Sequence, residues 1–430
     1  MEELPIGRRV AYWRNRRKLT LQVLADRVGM SKSWVEKVES GARRLDRFST
    51  ISEVADALEI DISMLLGRSP DARPPRAYAD HCEIGALRDA LGRLALASQL
   101  SVPRRPDLDK LRQATEHAWT SFQYARYDVL AQSLPALLRA AQSAADYHTG
   151  DAAEQATSLL AQVYQVASST LRKLGEYDLA HLAADRALGA SVRCGDDLLA
   201  GTSTTRVANA LLAMGHARAA FEANVAMAHR LAPGDVNDAG PDRLSVYGAL
   251  LLQGAMAAAH LRDSISVREL IAEARVAAIA LGVDADHYRT SFGPTNVELH
   301  RAAAAVELGE GRQAIAAHDQ LDRGRLSALV PERRAQHLLD LARALAHIGG
   351  LDRAGEMLGE AEHLAPAEIR SRPAAHAVMT AILRRTKGSP PALLARSPTG
   401  WGHWCEQPGV RRERDRRRGR RVRCAAPARR

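Results

Sequence analysis

The sequence predicts an all-α protein in two parts: a small helical head over residues 1–67 and a long body of helical hairpins in series over residues 82–388. Three observations carry this prediction. The chain has 430 residues, more than one hydrophobic core usually serves, so two or more units are expected. Apolar residues recur at helical spacing along most of the length, with few strand-like alternations. Glycine-centred breaks recur through the second part at multiples of roughly 40 to 47 residues.

In the head, Ile6, Val10 and Trp13 stand at i, i+4 and i+7 among Arg8, Arg9, Arg14, Arg16, Arg17 and Lys18, giving a first helix with one apolar stripe. Thr20 caps a second helix near Leu21–Val28, which ends at Gly29, where a left-handed backbone is tolerated. Ser31 caps a third helix at once, near Lys32–Glu39. Val35 and Val38 supply its buried side, leaving Lys32, Ser33, Trp34, Glu36 and Lys37 outward. Two helices joined by so short a turn form a helix-turn-helix.

Ala25, Gly29, Ser31, Val35, Glu39 and Gly41, followed by Ile51, Val54, Ala55, Leu58 and a helix from Ile60 to Leu66, resemble the phage-repressor (XRE/Cro) family over about 65 residues. The whole layout resembles regulators of that family found in actinobacteria. The resemblance implies a five-helix, lambda-repressor-like DNA-binding domain whose third helix enters the major groove. Lys32, Ser33 and Lys37 match its base-reading positions, and their side chains can hydrogen-bond to base edges. Gln22, Ser31, Trp34, Arg43 and Arg44 are placed for phosphates, and Arg47 for the minor groove. Where the family often has Gln at the start of its second helix, this chain has Leu21, with Gln22 following. Arg14 and Glu39 match a structural ion pair, and Trp34 has packing on the domain edge as its alternative.

Charge alone does not argue for nucleic acid. Of the formal +10, the segment after Ser389 supplies roughly nine, with about 12 Arg against about 3 acidic residues. Cys82, Cys194, Cys405 and Cys424 are far apart, without zinc-finger or disulfide spacing, so neither metal nor cofactor is expected. No uninterrupted apolar run is long enough to span a membrane, and the start is acidic where a signal peptide is basic, so a cytoplasmic protein is expected.

Gly67, Pro70, Pro74 and Pro75 mark a linker over residues 68–81. In the body, the breaks at Leu174–Tyr177, Met214–Ala217, Leu308–Gly311 and Ile348–Leu351 each separate two apolar-periodic helices, and Pro233 and Pro366 end second helices. The pattern resembles degenerate tetratricopeptide repeats, which stack as an α-solenoid with a concave groove suited to a peptide or small molecule. Arg206 with Asn209, Asn224, Thr295 with Asn296 and His300, and Arg334 with His337 are the groove candidates, with helix capping and inter-repeat hydrogen bonding as the alternative. At Phe292–Val297, Gly and Pro precede a helix whose N–H groups would suit an anion. The tail, 389–430, loses the helical rhythm and is Arg-rich; disorder is expected, and its composition fits out-of-frame translation of a GC-rich gene better than the alternative, a nucleic-acid-binding arm of nonspecific affinity.

These readings point to a homodimeric, sequence-specific regulator of double-stranded DNA whose repeats bind a peptide or small-molecule effector. The competing class is a DNA-tethered scaffold whose repeats recruit a partner protein without an effector. An enzyme ranks last, because Gly-rich phosphate loops, nucleophile elbows and His-Glu-x-x-His helices are missing from the sequence.

Overall fold

The computed structural model describes residues 6–17, 19–43, 45, 48–58, 65, 81–92, 106–370 and 372–385. Among them every regular element is helical, apart from one isolated bridge between Ala285 and Phe292. Among them, too, no helix is long and apolar enough to cross a membrane. The chain divides into two compact units, Met1–Arg76 and Ala77–Arg430.

The first unit contains α1 (Ile6–Arg16), α2 (Leu21–Val28), α3 (Lys32–Ser40) and α4 (Phe48–Ala57). Its core is drawn from the apolar positions of each helix: Val10, Leu24, Ala25, Val35, Val38, Ile51, Val54 and Leu58. The helix expected at Ile60–Leu66 lies outside the described residues except for Leu65, which is fully buried and accepts a 2.9 Å hydrogen bond from Arg9 Nη1. α1 and α3 cross so closely that a Cβ on Gly7 would stand 2.0 Å from the Val38 carbonyl oxygen. Glycine is the residue that permits this crossing.

The second unit runs through α5 (His81–Gly92), α6 (Leu108–Gln123), α7 (Tyr127–Tyr147), α8 (Asp151–Lys173), α9 (Tyr177–Arg193), α10 (Asp197–Ala213), α11 (Ala217–Leu231), α12 (Pro241–His260) and α13 (Ser264–Leu281). It continues with α14 (Pro294–Leu308), α15 (Gly311–Asp319), α16 (Arg323–Ala328), α17 (Pro331–His347), α18 (Leu351–Leu364), α19 (Pro366–Arg370) and α20 (Pro373–Arg385). The hairpin turns share one closure: at Gly175 (φ 81°) the following N–H, of Glu176, reaches back to the Leu171 carbonyl at 2.9 Å. The same bond recurs at His216, Glu310 and Gly350. It is the Schellman ending, which satisfies the last carbonyls of one helix while reversing the chain. Ala125 (φ 54°) and Arg262 (φ 62°) make the same turn without glycine.

The expected superhelix forms, and it curves further than a groove. α6, α8, α10, α12, α14 and α17 form an inner layer in which each helix packs on the next, and α17 packs back on α6. The ring is therefore closed. One hydrophobic core runs from Ile84 to Ala210 and resumes from Ala335 to Ile382, so the first and last hairpins share a single interior. A second core fills the hairpins around α11 to α14. The closure is clasped by buried charge: Lys173 Nζ, at the end of α8, donates to Glu332 at the start of α17 and to Glu368 of α19 at 2.6 Å. Glu368 also accepts from the Tyr127 hydroxyl at 2.5 Å and from Arg372. Residues 68–80 of the expected linker and the whole tail lie outside the described residues.

Candidate functional site

Each unit gathers one set of polar groups. In the first, the Thr20 side chain accepts from the Val23 N–H at 3.2 Å, and α2 ends on Gly29 at φ 66°. Ser31 accepts from the Trp34 N–H at 3.1 Å, so α3 begins three residues after Gly29. Val35 and Val38 are each 1% exposed, which fixes α3 about its own axis. Lys32, Ser33, Glu36 and Lys37 consequently face solvent. Lys32 lies 3.9 Å from Glu36, a solvated pair worth little.

Arg14 Nε and Nη2 donate to the two Glu39 oxygens at 2.7 and 2.9 Å, and Nη1 donates to the Leu19 carbonyl at 2.9 Å. The expected ion pair is thus a bidentate bridge tying the end of α3 to α1. Its hydrogen bonding to Glu39 raises the Arg14 pKa above the ordinary value, against the opposing effect of burial. Trp34 is half-buried and packs against the head's core. The exposed Gln22 amide donates to Asp26 at 2.8 Å, so contact with phosphate requires exchanging that bond. Arg43 is exposed just past Gly41, while Arg44 and Arg47 lie outside the described residues.

In the second unit the ring encloses a cavity of about 350 Å³, within the range of roughly 300–1,000 Å³ that small ligands occupy. Its wall carries Arg172, Lys173, Arg206, Arg289, Arg333, Arg343 and Arg372 against Glu307, Glu332 and Asp340, with Trp119, Met256 and Leu339 as apolar surface. Burial drives the Lys173 pKa down to about 8, and Glu332 and Glu368 oppose the fall; the amine stays protonated at neutral pH. Burial would raise the Glu332 carboxyl, but Lys173 and Arg333 outweigh it and hold the group at about 2. Arg206 is lowered to about 10 by burial and by repulsion from Arg172 and Arg333. Burial pushes His300 and His337 down to about 3, helped by Arg333 and His318 respectively, so both rings are neutral at pH 7.

The loop before α14 contributes Arg289, Thr290 and Ser291 to the wall. Tyr288, Arg289 and Ser291 adopt φ of 50°, 58° and 50°, each unfavourable by about 1–3 kcal/mol for a side-chain-bearing residue. Asp286 holds this shape: it accepts from the Ser291 N–H at 3.0 Å and from the Gln123 amide at 2.7 Å.

Residues 5–65 match the family model of a helix-turn-helix domain. No curated protein matches the chain. Among solved structures, Bacillus thuringiensis PlcR in complex with the peptide PapR7 and DNA is similar at 14% identity and a TM-score of 0.37, covering 84% of this chain and 98% of that one. A likeness so slight transfers neither ligand nor mechanism.

Beyond the helix-turn-helix head, four of the eight groove candidates line the cavity: Arg206, Asn209, His300 and His337. The other four do not. Asn224 is buried on α11 and donates to the Ala220 carbonyl at 2.9 Å. Asn296 is buried and its carbonyl oxygen is within 2.9 Å of His300 Nδ1. Arg334 stands one position beyond the cavity-lining Arg333. Thr295 corrects the anion reading of Phe292–Val297: its N–H and hydroxyl donate to Asp284 at 2.9 and 2.6 Å. The chain's own carboxylate therefore satisfies that helix N-terminus.

Sequence reasoning did not name Arg172, Arg289, Arg333, Arg343 or Arg372. One signal was available. Ser168, Ser169 and Arg172 on α8, Thr205, Arg206 and Asn209 on α10, and Arg333, Gln336, His337 and Asp340 on α17 are polar stripes at helical spacing on alternate helices, and all line the cavity.

Proposed function

We propose that this chain is a sequence-specific DNA-binding transcriptional regulator of the XRE/Cro type, a cytoplasmic homodimer whose helical repeats bind a peptide or small-molecule effector. Residues 1–67 form the DNA-binding domain, 68–81 the linker and 82–388 the effector domain, with 389–430 an Arg-rich tail outside both. The observation that carries the reading is α3: capped by Ser31 and locked by Val35 and Val38, it leaves Lys32, Ser33 and Lys37 on one open edge. Such an edge enters the major groove, where these side chains meet bases. Ser31, Gln22, Arg43 and Arg44 hold phosphates, and Arg47 lies over the minor groove. Two heads in a dimer reach half-sites about 34 Å apart.

Selection of bound DNA from a random pool tests this. Lys32→Ala and Lys37→Ala are each expected to weaken binding by about 1–3 kcal/mol and to relax sequence preference at one position. Unchanged preference in both variants removes the base-reading assignment.

The second reading, a DNA-tethered scaffold that recruits a partner protein without an effector, is favoured by the outer face of α13. There Ile265, Val276 and Ile279 are 60%, 51% and 70% exposed, an apolar set of the kind that marks protein contacts. Operator affinity that is indifferent to cell extract, together with a protein partner captured through α13, favours the scaffold.

A further inference from the structure

The cations of the ring fall into two classes. Lys173 is held by Glu332 and Glu368, Arg372 by Glu368, Arg343 by Glu307 and Asp340, and Arg289 by Glu116 and Asp286. Arg172, Arg206 and Arg333 form no ion pair with any described residue. The Nε groups of Arg206 and Arg333 are buried with no hydrogen-bond partner. Arg206 keeps only a 3.2 Å bond from Nη2 to the Arg289 carbonyl and a position 5.6 Å above the Trp119 ring.

The three come from three different inner helices, α8, α10 and α17, and all line the one cavity. They are close enough that Arg172 and Arg333 both repel the charge on Arg206. Glu332, Glu368 and Asp286 act on these arginines from beyond ion-pair contact, each being in contact with another cation, and like charges gathered out of water without contact partners destabilise a fold. Such a gathering is instead complementary to a ligand that brings the missing charge. Guanidinium forks offer paired N–H donors that match the oxygens of phosphate or carboxylate, and three of them suit two negative charges better than one.

We infer that the ring binds, through Arg172, Arg206 and Arg333, a small ligand bearing a compact dianion, either a phosphate monoester or a dicarboxylate. The inference rests on reading the body as an effector domain and narrows the chemistry of that effector. Trp119 lies under the Arg206 guanidinium, and Met256 and Leu339 add apolar wall for the uncharged remainder of the ligand.

The test uses the full-length protein at constant ionic strength in chloride, titrated with glycerol 3-phosphate, with succinate and with glycerol, and followed by calorimetry and melting temperature. One or both dianions are expected to bind and raise the melting temperature, glycerol is not, and the tighter dianion identifies the source. Arg206→Met and Arg333→Gln should each weaken that binding about 10- to 100-fold, the share of a charge-assisted hydrogen bond. The ligand-free melting temperature of Arg206→Met should hold or rise, because that variant removes a repelled charge; Arg333→Gln also withdraws a charge that stabilises Glu332 and is read by affinity alone. Failure of both dianions to bind overturns the inference. So does affinity unchanged in both variants, or ligand-free melting that drops in Arg206→Met. Operator affinity measured with and without the bound dianion tests the parent reading separately. Binding that leaves operator affinity unchanged keeps this site and removes its effector role, whereas an operator response to an uncharged compound, with neither dianion bound, does the reverse.

Discussion

Replacing Gly7 by alanine sets two ordinary effects against each other. Alanine in a helix is favoured over glycine by at most about 1 kcal/mol. Against that, the new Cβ stands 2.0 Å from the Val38 carbonyl oxygen and 3.0 Å from its carbon. Both neighbours are backbone atoms of α3, so no side chain can rotate aside, and the two helices must part by about 1 Å. A gap of that size forfeits about a quarter to a half of each dispersion contact across it. The helices are tethered close by, α1 through Arg9 to Leu65 and α3 through Glu39 to Arg14. Overpacking costs about 1–3 kcal/mol, and an unyielding backbone puts this case near 3, so the net loss is about 2 kcal/mol. At roughly 0.05–0.15 kcal/mol per residue, a small head has little more than a few such losses in reserve. Native-state hydrogen exchange on the full-length protein reads the effect directly: amides of α1 to α3 lose protection about 30-fold while those of the ring do not change. Gly85→Ala on α5, whose Cβ would meet nothing within 4 Å, is the control and should keep or gain protection. Equal or greater protection of α1 and α3 in Gly7→Ala refutes the reasoning.

Three further outcomes are expected. Glu39→Ala leaves the part-buried Arg14 with only its bond to Leu19, and thermal unfolding of the head should show a loss of about 1–3 kcal/mol, partly recovered in Glu39→Gln. Lys173→Met leaves the part-buried Glu332 without its ion pair and Glu368 with only Tyr127 and Arg372; the ring should lose about 3–5 kcal/mol in urea unfolding, with partial recovery in Lys173→Met/Glu332→Gln. His300 and His337 have folded pKa values of about 3 against an ordinary 6.5, so between those values the unfolded chain binds more protons and stability falls as pH falls. The slope approaches about 1.4 kcal/mol per pH unit for each histidine. Glu332, at about 2 against 4.5, adds a further loss below pH 4.5; a flat urea midpoint from pH 7 to 4 contradicts this.

Local geometry was legible in the residues, and closure was not. Thr20, Gly29, Ser31, Val35 and Val38 each act within a few residues of themselves, so caps, turn and buried face could all be read in order. Turns at Ala125 and Arg262 carried no such mark, because the left-handed residue is not glycine, although the same local closure forms there. The ring depends on pairs such as Tyr127 with Glu368, 241 positions apart, which no periodicity reports. Cavity residues divided in the same way. Arg206 and Asn209 sit in mid-helix, where an arginine among threonines and alanines stands out. Arg172 falls in the last turn of α8, where a cation reads as a partner for the helix dipole. Arg333 occupies the first turn of α17, where a cation opposes the dipole, and that mismatch was a readable sign of a role other than helix stability.

The same positions give the proposed ligand a route by which to act on the body. Arg172 precedes Lys173 and Arg333 follows Glu332, so two of the three proposed ligand contacts are one residue from a half of the clasp that joins α8 to α17. An open solenoid absorbs a change at one hairpin by bending at its neighbours, because each repeat touches only the next. A closed ring has no free end, so a shift at the α8–α17 junction must be shared by every inner helix around it. A ligand bridging Arg172 and Arg333 favours whichever ring geometry brings them together, and each tenfold preference is worth about 1.4 kcal/mol. A ligand with equal affinity for both geometries moves nothing, however tightly it binds. The clasp therefore makes a separable demand: Lys173→Met should weaken the ligand's hold on ring geometry while leaving Arg172, Arg206 and Arg333 in place to bind it.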